Sequence, residues 1–116
     1  MFVINFKNYD EIAGENSIRL TKITTEVAKK YGITIAVCPP LHLLSEISKI
    51  SHDVFAQHLD NSKVGSTTGF LVPEIVKKSR VSGALINHSE HRIPSNEIED
   101  LVTRLRELQM TSVVCV

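Results

Sequence analysis

Five short aliphatic segments alternate with helical patterns along the chain, and this alternation restricts the fold more than any other feature. The segments begin near residues 3, 33, 54, 83 and 112 of a chain of 116 residues, a length that corresponds to one domain. Strands that alternate with helices pair in parallel through right-handed crossovers. The sequence therefore predicts an α/β fold. Its all-parallel sheet is either an open doubly wound sheet or about half of a closed eight-stranded barrel, whose typical length is roughly 250 residues.

The first helical pattern covers residues 17–31 and is followed by Gly32, a residue suited to a left-handed C-cap. Its spacing is typical of a helix with one apolar face. That face consists of Leu20, Ile23, Val27, Ala28 and Tyr31.

Prolines mark the starts of the next two predicted helices, since proline is well suited to the first turn of a helix. One helix follows the prolines at 39–40 and has an apolar face that extends to Ile50, and the other spans residues 73–78. The fourth helix begins near Asn96, which with Glu99 has the spacing of a capping box.

Polar side chains gather where the strands end. Because the carboxyl ends of parallel strands lie at one edge of a sheet, we expect these side chains to share one pocket. A lysine and an imidazole together are suited to stabilising an oxyanion or an enolate, and we expect a carboxylate to hold the lysine in place. The residues concerned are Asn5, Lys7, Gln57, His58 and residues 87–92, with Glu90 as the carboxylate and His88 as the central imidazole.

The charge balance and the hydropathy pattern argue against several kinds of partner. Thirteen basic residues match thirteen acidic ones, so no general attraction to nucleic acid or to an anionic membrane is expected. No apolar segment approaches the roughly 20 residues of a membrane span, and the first ten residues lack the pattern of a signal peptide. The sequence therefore predicts a cytoplasmic protein. Cys38 and Cys115 end aliphatic segments and are predicted to be reduced thiols.

Four motifs, each at or after a strand end, are similar to those of the triosephosphate isomerases, in particular the archaeal type. The similarity runs in the same order over essentially the whole chain and corresponds to the first half of that family. The motifs are Asn5-x-Lys7, Ala56-Gln57-His58, Gly65-x-x-Thr68-Gly69 and Asn87-His88-Ser89-Glu90.

The resemblance implies a fold and a reaction. The fold is the first half of a TIM (β/α)8 barrel, about four and a half units, with residues 1–116 as a single half-barrel domain from the first strand to the fifth. The reaction is the interconversion of dihydroxyacetone phosphate and glyceraldehyde 3-phosphate through an enediolate, without a metal or an organic cofactor.

The resemblance also implies a role for each motif residue. Asn5 and Lys7 would bind the triose phosphate, and Lys7 would offset the charge of the enediolate. His88 would be the electrophile at the substrate oxygens. Ser89 and Glu90 would support them. Thr68 lies on the loop that, in the family, completes the site of a neighbouring subunit.

Two departures from the family pattern have consequences. His91 stands where the family usually has arginine, with Arg92 next, so an ion pair of that arginine would become pH-dependent or be lost. The family's catalytic glutamate, its lid and its phosphate-binding loops follow later strands that this sequence does not include. We therefore expect the chain to be inactive alone and to pair with a complementary C-terminal half or with another copy of itself.

Two other classes of function remain open from the residues alone. A barrel metallohydrolase would use strand-end ligands, although a lysine after the first strand, where a ligand pair would be expected, argues against it. A five-stranded module that acts only as a scaffold or binds a partner has the same fold. The candidate metal ligands are His58, Asp60, His88, Glu90 and His91.

Overall fold

The computed structural model describes residues 1–116 and contains the five predicted strands, all parallel. Each strand begins close to its predicted position, so the predicted α/β fold with a parallel sheet is confirmed. The strands are β1 (Phe2–Asn5), β2 (Ile35–Cys38), β3 (Phe55–Ala56), β4 (Gly83–Ile86) and β5 (Thr111–Val114).

The strands follow one another in space in their chain order. β1 pairs with β2, and β3, β4 and β5 form a second group, with a single parallel bridge between Val37 and Val54 connecting the two. The register sets Asn5 beside Cys38 and Ile86 beside Val114. β1 and β5 therefore form the two edges of the sheet, and the carboxyl ends of all five strands lie on one side.

Helices connect the strands: α1 (Glu15–Tyr31), α2 (Leu44–Ile47), α3 (Pro73–Lys77) and α4 (Ser95–Glu107). Gly32 adopts the predicted left-handed C-cap, with a φ of 61° and its N–H bonded to the carbonyl of Ala28. α2 is shorter than predicted, because the chain after Pro40 first forms a 3-10 turn, Leu41–Leu43, and the helix ends at Ile47. No helix combines the length and the apolar character needed to cross a membrane.

The predicted capping box at the start of α4 is wrong. The residue before the first helical turn is Pro94, whose carbonyl accepts from the N–H groups of Glu97 and Ile98 at 3.0 and 3.2 Å. Asn96 already lies within the helix, and no side chain caps its start. A capping side chain must precede the helix, so the spacing of Asn96 and Glu99 has no capping role.

The two faces of the sheet bury different sets of side chains. The face toward the helices carries the larger core, whereas the opposite face carries a small cluster of Ala36, Cys38, Phe55 and Leu85. The ring of Phe55 occupies the space next to Gly83, where a Cβ atom would lie 2.7 Å from two ring carbons. Burial raises the pKa of the Cys38 thiol to about 12, and both cysteines are free, as predicted.

Helix α1 turns a polar side toward the rest of the molecule. Ser17, Thr21 and Thr24 are buried, and the hydroxyl of Thr21 donates to the carbonyl of Ser17 at 2.8 Å, which satisfies it within the helix. Part of the predicted apolar face is exposed instead: Ile23, Val27 and Tyr31. Hydroxyls that bond their own helix can pack closely against a neighbour, so this side is buried despite its polarity.

Candidate active site

A pocket of about 500 Å³ opens at the carboxyl ends of the strands. It brings together most of the residues that the strand-end argument placed in one site, including Lys7 after β1 and His88 after β4. Most of its lining residues are polar. Ten residues form it: Asn5, Lys7, Asn8, Tyr9, Leu41, Gln57, His58, His88, Glu90 and His91.

Lys7 is held by its backbone and by its side chain. Its backbone is left-handed, with a φ of 55°, and its N–H donates to Oδ1 of Asn5 at 3.0 Å. The amide nitrogen of Gln57 donates to the carbonyls of Lys7 and Cys38 at 3.0 and 3.1 Å. The ammonium nitrogen Nζ of Lys7 lies 2.9 Å from Oε1 of Glu90, which is the predicted contact between these two side chains.

The contact between Lys7 and Glu90 keeps both groups charged. Hydrogen bonding to Glu90 and the charge of that carboxylate raise the pKa of Lys7, and Tyr9 adds to the effect. The hydrogen bond from Lys7 in turn lowers the pKa of Glu90. The pocket therefore contains a cation that stays protonated at neutral pH and a carboxylate that resists protonation.

His88 presents its imidazole in a defined tautomer. The N–H of Glu90 donates to Nδ1 of His88 at 3.1 Å, so Nδ1 carries no proton and the neutral ring has its proton on Nε2. The N–H of His91 donates to the carbonyl of His88 at 2.8 Å and closes a tight turn. We call residues 87–94 the β4–α4 turn. It brings the Nε2 side of the His88 ring to the pocket.

Two side chains fasten the β4–α4 turn to the end of β5. Asn87, with a left-handed φ of 60°, donates from Nδ2 to the carbonyl of Cys115 at 3.0 Å and accepts from the N–H of Ile93 at 3.2 Å. The guanidinium of Arg92 donates to the carbonyls of Asn87 and Cys115 at 3.0 and 3.4 Å. The sequence did not indicate these contacts, because most of the partners are backbone groups.

His58 and His91 lie against each other at the edge of the pocket. Their ring centroids are 3.7 Å apart and their planes differ by 14°, so the two imidazoles are stacked. Nε2 of His58 is 3.2 Å from Oδ1 of Asp60, whose Oδ2 accepts from the N–H of Leu71 at 2.7 Å. Burial lowers the pKa of His58, although the hydrogen bond to Asp60 acts in the opposite direction.

The side chains of the candidate metal ligands make hydrogen bonds, ion pairs and a ring stack. His58 bonds Asp60 and stacks on His91, while Glu90 binds Lys7 and donates its N–H to His88. No group of three or more histidine, cysteine, aspartate or glutamate side chains is placed to hold a metal ion.

Two of the predicted site residues lie outside the pocket. Thr68 is exposed on the β3–α3 loop, residues 57–72, between Gly65 and Gly69, which have positive φ values of 140° and 85°. Ser89 is also exposed and does not line the pocket. The structure thus groups Asn5, Lys7, His88 and Glu90, and leaves Thr68 and Ser89 at the surface.

A family model for triosephosphate isomerase matches residues 1–116. The chain belongs to the triosephosphate isomerase family. The matched part is the N-terminal half, as the four motifs indicated.

Curated triosephosphate isomerases support the family assignment. The protein of Cenarchaeum symbiosum is 51% identical over 116 residues, which are 100% of this chain and 52% of that protein. The protein of Sulfolobus acidocaldarius is 41% identical over 119 residues, with 100% of this chain and 51% of that protein covered. The chain thus spans about half the length of the curated relatives that it matches.

A solved structure shows the same fold. The crystal structure of triosephosphate isomerase from Bartonella henselae superposes with a TM-score of 0.77 at 22% identity, covering 99% of this chain and 50% of that one. The predicted first half of a TIM barrel is therefore confirmed as the fold of this member of the triosephosphate isomerase family.

Proposed function

We propose that this chain provides the N-terminal half of an active triosephosphate isomerase, which interconverts dihydroxyacetone phosphate and glyceraldehyde 3-phosphate through an enediolate. The observation that carries the proposal is the position of Lys7 and His88 in one pocket, with the charge of one and the tautomer of the other already set. A fixed cation and an imidazole N–H donor are suited to an oxygen that gains negative charge during the reaction.

Each residue has a defined part in this proposal. Asn5 and Lys7 bind the triose phosphate, and the Lys7 ammonium offsets the charge of the enediolate. His88 donates from Nε2 to the substrate oxygens. Glu90 keeps Lys7 in place through the 2.9 Å contact and sets the tautomer of His88 through its backbone N–H. Ser89 supports the site from the same turn.

Removal of a proton from the substrate requires a base that these residues do not provide. Glu90 is the only carboxylate that lines the pocket, and its contact with Lys7 lowers its pKa. A carboxylate that is held by an ammonium is a weak base, since proton transfer to it is unfavourable. We therefore propose that the base comes from a complementary C-terminal half, and that residues 1–116 alone do not catalyse the reaction.

The edges of the sheet support pairing with such a half. Phe2 and Val3 of β1 are 62% and 38% exposed, and Val114 of β5 is 41% exposed, although all three lie in strands. Edge strands offer unpaired backbone groups as well as this apolar surface. We propose that further strands cover both edges, contributed by a complementary C-terminal half or by another copy of the chain.

Complementation tests the proposed reaction. Residues 1–116 are co-produced with the C-terminal half of the Cenarchaeum symbiosum relative, and isomerase turnover is measured with and without a chelator. We expect activity that the chelator does not change, because we propose that the enzyme uses no metal. We also propose that it needs no organic cofactor and is cytoplasmic. His88→Gln should lower turnover by about 10²–10⁴-fold.

The matched control is His52→Gln, because His52 is exposed and lies outside the pocket. It should retain the turnover of the unsubstituted complex. Full activity of the His88→Gln complex would contradict the role of His88, and native-level turnover by residues 1–116 alone would contradict the need for a second half.

We propose that the part of the β3–α3 loop from Asn61 to Gly69 contacts a neighbouring subunit, with Thr68 near the site of that subunit. Thr68→Arg places a long charged side chain at the tip of the loop and should dissociate the oligomer of the completed enzyme in sedimentation velocity. Ser45→Arg, at an exposed position of α2, is the control and should leave the mass unchanged. An unchanged mass for Thr68→Arg would count against the contact.

A further inference from the structure

We propose that the stacked imidazoles of His58 and His91 are a positioning pair that couples the β3–α3 loop to the β4–α4 turn, and through that turn to His88. The loop carries Thr68, and the turn carries the imidazole of the candidate active site. The consequence for catalysis rests on the proposed isomerase function, whereas the coupling itself does not.

On one side of the stack, His58 is tied to the base of the loop. It is buried at the end of β3 and bonds Asp60 through Nε2 at 3.2 Å. Asp60 holds Leu71 twice: its Oδ2 accepts from the N–H of Leu71 at 2.7 Å, and its own N–H donates to the carbonyl of Leu71 at 3.0 Å. These bonds close the loop at its base, so the position of the His58 ring is fixed relative to both ends of the loop.

On the other side of the stack, His91 is tied to His88. The N–H of His91 donates to the carbonyl of His88 at 2.8 Å. Between them, the N–H of Glu90 donates to Nδ1 of His88 at 3.1 Å, and the carboxylate of Glu90 holds Lys7 at 2.9 Å. A displacement of the His91 ring therefore changes the turn that sets the tautomer of His88 and the position of Lys7.

The stack of His58 on His91 connects the loop side to the turn side, and it is the one link between Leu71 and His88 that is not a hydrogen bond. Two rings at 3.7 Å and 14° form a parallel stack, and such aromatic contacts stabilise by about 0.5–1.5 kcal/mol beyond the area they bury. His91 is exposed even with this contact in place, and the stack on His58 is its one aromatic contact. Its position depends on the stack, and removal of the ring should release the turn from the loop.

Amide hydrogen exchange of the chain tests the coupling directly. In His91→Ala, the Leu71 and Glu90 amides should exchange roughly three- to tenfold faster, the size expected from loss of one stacking contact. In His91→Phe, which keeps an aromatic ring, both rates should stay within about twofold of the unsubstituted chain. His52→Ala, at an exposed histidine, is the control.

Three results would overturn the coupling. The first is an unchanged exchange rate of the Leu71 amide in His91→Ala. The second is equal acceleration in His91→Ala and His91→Phe, and the third is read from an internal reference. The Val37 amide, which bonds the carbonyl of Asp53 at 2.9 Å, serves as the internal reference. If it accelerates as much as the Leu71 amide, the substitution acts on global stability and the coupling is refuted.

Kinetics of the completed enzyme test the consequence for catalysis. His91→Ala should lower kcat by roughly three- to tenfold with little change in KM, and His91→Phe should restore it, because the stack positions a group and binds no substrate. Unchanged kcat in His91→Ala would refute the positioning role. Absence of activity in the unsubstituted complex would contradict the proposed function, and the exchange rates would then decide on the coupling alone.

Discussion

The middle and the edge of the sheet differ in how completely they are buried, although each carries one of the two main groups of the pocket. All four residues of β4 are buried, whereas the first three residues of the chain, which include the start of β1, are exposed. His88 follows β4 and Lys7 follows β1. The pocket therefore lies between β4, which is fully buried, and β1, whose apolar side chains are partly exposed to solvent.

The two groups are positioned by different means for this reason. The turn of His88 follows a strand that is paired on both sides and is fastened to β5 by Asn87 and Arg92. Lys7 follows an edge strand with one neighbour, and its ammonium takes its position from Glu90 in the turn of His88. The middle of the sheet thus positions the group at the edge.

The largest expected effect comes from substituting the same residue type in the two regions. Phe55→Ala in β3 should lower the free energy of unfolding by about 3–5 kcal/mol, because the ring is 1% exposed and its loss leaves a cavity. Phe2→Ala in β1 should cost less than about 1 kcal/mol, because that ring is already largely in solvent. Urea unfolding of both variants measures the difference. Equal losses would show that the edge is as well packed as the middle.

A charge at the edge should act on association more than on the chain itself. Val3→Asp should cost residues 1–116 less than about 1 kcal/mol but weaken binding of the complementary half by roughly 3 kcal/mol, about a hundredfold in Kd, because association would bury an unpaired carboxylate. Titration calorimetry measures the Kd. Val27→Asp, at a similarly exposed valine of α1, is the matched control. Similar Kd values for both variants would argue against pairing at β1.

Substitution of Arg104 tests whether polar contacts stabilise the packing of α4 against α3 and the β3–α3 loop. Its guanidinium binds the carboxylate of Glu74 at 2.6 and 3.1 Å, Oδ1 of Asn61 at 2.9 Å and the carbonyl of Ser62 at 2.9 Å. Arg104→Met should lower the free energy of unfolding by about 1–2 kcal/mol, because these charge-assisted bonds join α4 to α3 and to the β3–α3 loop.

Arg106→Met is the control for this substitution. Arg106 is exposed on the same helix, and its loss should change stability by less than about 0.5 kcal/mol. Thermal unfolding of the two variants side by side provides the measurement, and equal shifts in Tm would remove any special contribution of the Arg104 contacts.

The smallest expected effect is a pH dependence that originates at the end of β3. Burial lowers the pKa of His58 from 6.5, with Asp60 and Glu97 opposing the shift and His91 reinforcing it. The unfolded chain therefore binds the proton more readily. The stabilisation is complete above pH 6.5 and is lost as the pH falls below that value toward the lower pKa of the folded chain.

Urea unfolding at pH 7.5 and pH 5.5 measures this dependence. His58→Asn should reduce the difference in the free energy of unfolding between the two pH values, because the group with the lowered pKa is gone. The carboxylates with lowered pKa values, Glu74 and Glu90, lose their contribution only at more acidic pH, below 4.5. An unchanged pH dependence in His58→Asn would assign the effect to another group.

The sequence predicted the parts of the fold that depend on periodic patterns. Aliphatic segments gave the five strands, and Gly32 gave the end of α1. The buried side of α1 was not predictable in this way, since Thr21 and Thr24 are polar by residue type and become packable only by bonding their own helix. The start of α4 was missed because its N-cap position is Pro94, which has no side chain able to cap the helix.

For the candidate site, the sequence predicted which residues lie together but not the detailed contacts that they make. Strand ends placed Lys7, Glu90 and His88 together, because parallel strands carry their ends to one edge. The stack of His58 and His91 depends on the conformation of two loops, and the tautomer of His88 depends on a backbone N–H. Residue type and spacing contain neither kind of information.

The left-handed backbone at Lys7 and Asn87 sets a limit on engineering this protein for stability. Both residues have positive φ values, 55° and 60°, a conformation that costs a side-chain-bearing residue roughly 1 kcal/mol and that glycine adopts freely. A search for stabilising substitutions that scored backbone conformation alone would therefore favour glycine at these two positions, which follow β1 and β4. Each substitution would remove a side chain that shapes the pocket, the ammonium in one case and the anchor of the β4–α4 turn in the other. Selection for such substitutions would thus remove the side chains that form the pocket, while the sheet beneath it stayed intact.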